Sequence, residues 1–269
     1  MTLFVHLLLG VAAGVHGASY GAYKDAPHEN FILSRFLREI VIATLFAGGL
    51  NLLHWTDRQT PFTIFAASFA GARTITEFYK LFVRNLSQDE FRIPTRMHYV
   101  KGVVNNPIAR LILGFGFLWM LVGIWGLCSL LAPHDPPLLR GLVVGIIIGT
   151  LEAMGGAYKD GAIEGFFWHK FIKSPVYGAL AGLIAAGHAT DFVPGRVADL
   201  PMLMLATYGT CRMLLELVYK MGVSDYVPGK FHSLIASFPE WSAKRASYFL
   251  PPYVATWALY LVLATHPGW

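Results

Sequence analysis

Eight apolar runs follow one another along the chain, near residues 3–22, 39–56, 61–79, 108–132, 138–157, 174–190, 197–218 and 248–265. Each is about 17 residues or longer and carries little charge, enough for a helix to cross about 30 Å of hydrocarbon. Polar punctuation separates them. The segments after Lys80 and Lys220 are too long for simple turns and mix aromatics with bases, as surface-lying elements do. The pattern predicts an all-α integral membrane protein with about eight transmembrane helices. The first run has the apolar character of a signal peptide, but no basic stretch precedes it. Its Gly10 and Gly14 are also matched by Gly145 and Gly149 inside the chain, so it is expected to belong to the fold.

That match is part of a larger one. Gly21-Ala22-Tyr23-Lys24-Asp25 recurs as Gly156-Ala157-Tyr158-Lys159-Asp160, and the same shift of 135 brings Glu29, Phe31 and Phe36 onto Glu164, Phe166 and Phe171. A period this long implies two copies of one multi-helix unit and not a solenoid. The expected halves are residues 1–134 and 135–269. Four spans per copy is an even number, so the copies run parallel, related by a pseudo-two-fold axis along the membrane normal.

Composition agrees with the bilayer reading. The chain is 55% hydrophobic and 14% charged, with a mean hydropathy of +0.51; soluble domains carry about a quarter charged residues. The net charge of +5 and pI of 9.2 are a topology signal. Sixteen of the 21 basic residues fall on one side of the predicted bilayer, only Arg58, Arg140 and Arg196 on the other, and Arg73 and Arg212 inside spans. Basic loops stay in the cytoplasm, so both termini are expected on the non-cytoplasmic side of a bacterial-type inner membrane. No nucleic-acid partner is needed to explain the charge. The expected partners are membrane lipids, anionic ones first, with a homo-oligomer or larger membrane complex left open. Cys128 and Cys211 both lie within spans and give no disulfide framework.

The candidate chemistry sits where the repeated helices reach the cytoplasmic side. Tyr23, Lys24 and Asp25 answer to Tyr158, Lys159 and Asp160. At the end of the third span, Arg73, Glu77 and Lys80 answer to Arg212, Glu216 and Lys220. Arg and Glu four apart share a helical face, and an ionisable pair inside a span is costly unless it turns inward, pairs or meets water. Together these groups form the expected substrate site, between the two repeats, for a phosphate, carboxylate or lipid headgroup. Glu152 stands where the first copy has Gly17, beside His16. An asymmetric intramembrane carboxylate is a proton-coupling candidate, with His16 as its relay.

No phosphate-binding loop, dinucleotide fingerprint, paired-cysteine motif, zinc-protease helix or nucleophile elbow occurs in the sequence. His28 and His169 lack metal-ligand spacing. No metal and no cofactor are expected. Three function classes follow, in order. The first is a transporter or channel for an anionic substrate or headgroup. The second is a membrane-embedded transferase acting on a phosphorylated lipid, with Asp25, Asp160, Glu29 and Glu164 as a magnesium or base cluster. The third is a non-catalytic subunit of a membrane complex.

Overall fold

The computed structural model describes residues 1–84, 98–99, 102–132, 136–188, 199–221 and 238–265; for residues 98–99, 102–103, 158–164 and 219–221 only the backbone is described. Eight α-helices run through these residues: α1 (Leu3–Asp25), α2 (Leu33–Leu52), α3 (Pro61–Phe78), α4 (Pro107–Leu131), α5 (Pro137–Glu164), α6 (Trp168–His188), α7 (Asp199–Leu214) and α8 (Pro239–Thr265). Apart from one antiparallel pairing, β1 (His98–Tyr99) with β2 (Gly102–Val103), the described chain is helical. Among the described residues, four helices are long and apolar enough to cross a membrane: α1, α4, α5 through Ala157, and α8. The long segments after Lys80 and Lys220 lie mostly outside the described residues.

Local sequence explains where helices begin. α3, α4, α5 and α8 each open on a proline, whose fixed φ suits the first turn and whose missing N–H would have no partner there. α4 adds a cap: the Asn106 side chain accepts from the Ile108 and Ala109 amides at 2.9 and 3.2 Å, satisfying two of the orphan donors at a helix start. The other ends are less regular. α3 and α7 both pass into π-helical segments, Tyr79–Val83 and Leu215–Met221. π-helical turns are rare and collect at functional sites.

The chain divides into two compact units. The first contains residues 1–75, 188–209 and 235–269, and the second 76–187 and 210–234. Each unit draws on both sequence halves. In the first, α3 is the core element, with Phe62, Ile64, Phe65, Ala66, Ala67 and Phe69 all buried. Ala67 packs with Leu50 of α2 and Met202 of α7. α1 and α2 approach closely: a Cβ on Gly10 would collide with the Thr44 Cα, and one on Gly14 with the Ile40 Cα. In the second unit α5 and α6 meet the same way, Gly145 against Gly178 and Ala179, Gly149 against Ser174 and Pro175. Dispersion drives such crossings in lipid, and small residues let the backbones touch.

The second unit also contains α4, the most outward-facing long helix, with Ile112, Phe115 and Trp119 more than 60% exposed. Its one buried cation is structural. Arg110 is 1% exposed and donates through Nε to the Leu81 carbonyl at 3.2 Å and through Nη2 to the Arg84 carbonyl. A guanidinium there satisfies carbonyls at the end of the π-helical segment.

Candidate functional site

In the second unit, the i,i+4 pairing expected for Arg212 and Glu216 is present, with Nη2 3.4 Å from Oε1. The shorter partner lies on another helix. Arg212 Nη1 stands 2.7 Å from Glu152 Oε1, and the Cys211 thiol donates to the other Glu152 oxygen at 3.3 Å. One guanidinium therefore serves two carboxylates, with Glu216 fully buried and the Arg212 and Glu152 side chains 19 and 10% exposed. Glu216 sits at the start of the π-helical segment, where the winding changes how a side chain is aimed relative to the helix before it. Cys211 packs with Ala181 and Leu215, an apolar wall that strengthens the electrostatics of the cluster.

The first unit has its own pair. Arg73 Nη1 lies 3.8 Å from Glu39 Oε1, with side chains 12 and 8% exposed. Four residues on from Arg73, Glu77 lies 3.4 Å from Lys80 Nζ. Glu39 was missed because it opens an apolar run and its counterpart at the shift of 135 is Ser174. Gly17 faces it: a Cβ there would sit 3.2 Å from Glu39 Oε1 and 3.1 Å from Phe69 Cε2. The missing side chain at residue 17 is the room the carboxylate occupies.

His16, one residue earlier, is completely buried. Its ring stacks on Tyr253 at 4.8 Å between centroids and meets Phe69 edge-on at 5.0 Å, with Trp257 at 6.0 Å. The Thr256 hydroxyl lies 2.8 Å from the Tyr253 carbonyl and shares a hydrogen bond with His16 Nδ1 at 3.1 Å. The contacts described for His16 belong to the first unit, and those of its expected partner Glu152 to the second.

Of the Tyr-Lys-Asp copies, the first is described in full. Lys24 Nζ is 3.2 Å from Asp25 and 5.8 Å from the Tyr20 ring centroid. The Arg245 guanidinium lies 4.6 Å over the Tyr23 ring, a cation–π contact from α8. Glu29 takes Arg35 at 2.5 Å. Tyr158, Lys159 and Asp160 lie on the last turns of α5, and Lys220 in the π-helical segment after α7; their side chains, and that of Glu164, lie outside the described residues. Among the described residues no cluster of three or more His, Cys, Asp or Glu side chains could hold a metal ion.

No protein family, curated protein or solved structure matches this chain.

Proposed function

We propose that the chain is a membrane transporter or channel for an anionic substrate or lipid headgroup, built as two parallel four-helix repeats with eight spans. The observation that carries this reading is the arginine near the end of the third helix of each half, held against a buried carboxylate: Arg73 on Glu39 and Arg212 on Glu152. Apolar residues of similar volume would stabilise a purely structural helix as well or better. Ionisable groups kept at such positions fit a path that meets charge. Both arginines lie within two turns of a π-helical segment and a Tyr-Lys pair, the end at which the basic loops gather. An anion arriving there could compete with the carboxylates for the guanidinium, which would couple substrate binding to the contacts that hold the helices together.

The helix crossings support the repeat. Gly10 on Thr44 and Gly14 on Ile40 become Gly145 on Ala179 and Gly149 on Pro175, four residues each moved by 135. The basic asymmetry supports cytoplasmic placement of the Lys24 end, with both termini outside.

The test is efflux from proteoliposomes loaded in turn with phosphate, a dicarboxylate or a labelled anionic lipid. Substrate-dependent flux lost in Arg212→Gln and in Lys24→Gln, with both variants folded, is expected. No flux of any of these anions above protein-free vesicles would sink the reading.

A further inference from the structure

The face of α2 turned away from α1 contains a cation whose surroundings are apolar. Ser34, Arg38, Val41 and Leu45 recur at spacings of four, three and four, one face of a helix. Val41 and Leu45 are 53 and 68% exposed, and the neighbouring Leu37 is 46% exposed. Glu39, Ala43 and Ala47 on the opposite side are buried, where α1 crosses. This outer stripe would face lipid if α2 is a span. Arg38 stands in it about 8 Å along the axis from the start of the helix, the depth at which a long basic side chain reaches the headgroups.

Other cations of the first unit are already engaged: Lys24 with Asp25, Arg35 with Glu29, Arg73 with Glu39, and Arg245 with the Tyr23 ring. Arg38 has no hydrogen bond, ion pair or ring contact among the described residues, and its Nε is shielded from solvent without an acceptor. A shielded guanidinium N–H with no acceptor is costly. Aromatic rings gather just before α2 begins. Phe31 lies 5.8 Å from Trp241 and 5.6 Å from Phe249, ring centre to ring centre. Such rings sit at the boundary of headgroups and chains.

We propose that Arg38 binds the phosphate of an anionic lipid at this corner of α2, its planar fork taking two phosphate oxygens while the lipid chains cover Leu37, Val41 and Leu45. Arginine suits that role better than lysine because two parallel N–H groups match the spacing of two phosphate oxygens. The inference rests on α2 being one of the proposed spans, and it deepens the functional reading by naming a lipid phosphate as one anion this end recognises.

The full chain would be reconstituted in nanodiscs of phosphatidylcholine containing a minor share of phosphatidylglycerol, and the retained lipid counted by native mass spectrometry. Arg38→Gln should lose phosphatidylglycerol affinity by about tenfold, as expected for one charge-assisted contact. Arg38→Lys should recover part of it, and Lys244→Gln, which removes an exposed lysine, should lose almost none. Equal retention by Arg38→Gln and Lys244→Gln would overturn the proposal. So would displacement of the lipid by millimolar inorganic phosphate, which would make this a free-anion site. Thermal melts of the same variants check folding, and Arg38→Lys gives a reading even if Arg38→Gln folds poorly. Because the assay needs no transported substrate, a failed flux experiment leaves its outcome intact, while cysteine labelling of Ser34 tests separately whether α2 reaches the cytoplasmic surface.

Discussion

If the halves are copies, their buried acids have changed places, and the change can be undone. The first half has Gly17 on its first helix and Glu39 on its second; the matching positions in the second half are Glu152 and Ser174. Each arrangement sets a carboxylate against the arginine of the third helix. We predict that Gly17→Glu combined with Glu39→Ser, which gives the first half the arrangement of the second, restores most of what either change costs alone. At 3.8 Å two unit charges attract by about 4 kcal/mol at an effective dielectric of about 20. Removing one partner of such a buried pair costs about 3–5 kcal/mol, because the other is left uncompensated.

Glu39→Ser alone should therefore lose about 3 kcal/mol, which lowers Tm by roughly 6–10 °C. Gly17→Glu alone should lose about 1–3 kcal/mol, since its Cβ crowds Phe69 and its carboxylate approaches that of Glu39. In the double variant the new carboxylate has the space Glu39 vacated and an arginine in reach. Its loss should stay below about 2 kcal/mol, the residual strain at Phe69, so the double-mutant cycle should return a favourable coupling of at least about 2 kcal/mol. Detergent thermal melts of the four proteins measure it. A double variant as unstable as the sum of the single variants would refute the equivalence of Glu39 and Glu152.

Further expectations follow from the same contacts. Glu152→Gln should lower Tm more than Glu216→Gln, because the 2.7 Å contact to Arg212 is lost in one and the 3.4 Å contact in the other; parallel melts compare them, and the reverse order would count against this ranking. Gly145→Leu should break the α5–α6 crossing and lower expression and Tm, whereas Gly155→Leu, with open space around its Cα, should change Tm by less than about 1 °C. A cysteine placed at Ser34 should react with membrane-impermeant maleimide only in inverted vesicles, and one at Asp57 only in intact cells; the opposite result would reverse the topology.

Much of the helical framework was legible because hydropathy and backbone agree wherever an apolar run fills a helix. The run 61–79 is α3 with the first π-helical residue, and the run 108–132 is α4 displaced by one. They part where polar residues lie within a helix. α2 begins at Leu33, six residues before its apolar run, and carries Arg35, Arg38 and Glu39 as helical residues. Backbone hydrogen bonding does not stop where hydropathy falls. α8 begins at Pro239 and runs through Pro251 and Pro252, residues whose local preference is to interrupt a helix. At the site, the Arg212–Glu216 pair was readable since both residues share one helix. Its stronger partner Glu152 and the pair Arg73–Glu39 join different helices, and sequence spacing holds no record of which helices touch.

The transposed acid also gives the two halves different mechanical connections. An ion pair restrains the two elements that carry it. Glu39 joins the second helix of its half to the third, α2 to α3, whereas Glu152 joins the first helix of its half to the third, α5 to α7. An anion that drew Arg73 away from its carboxylate would free α2, and one that drew Arg212 away would free α5, against the further hold of Glu216. On the reading proposed above, the restraint an anion would have to overcome at Arg73 thus lies between α2 and α3, and at Arg212 between α5 and α7. Two copies with one sequence motif would then release different helices, a property that identical halves could not have.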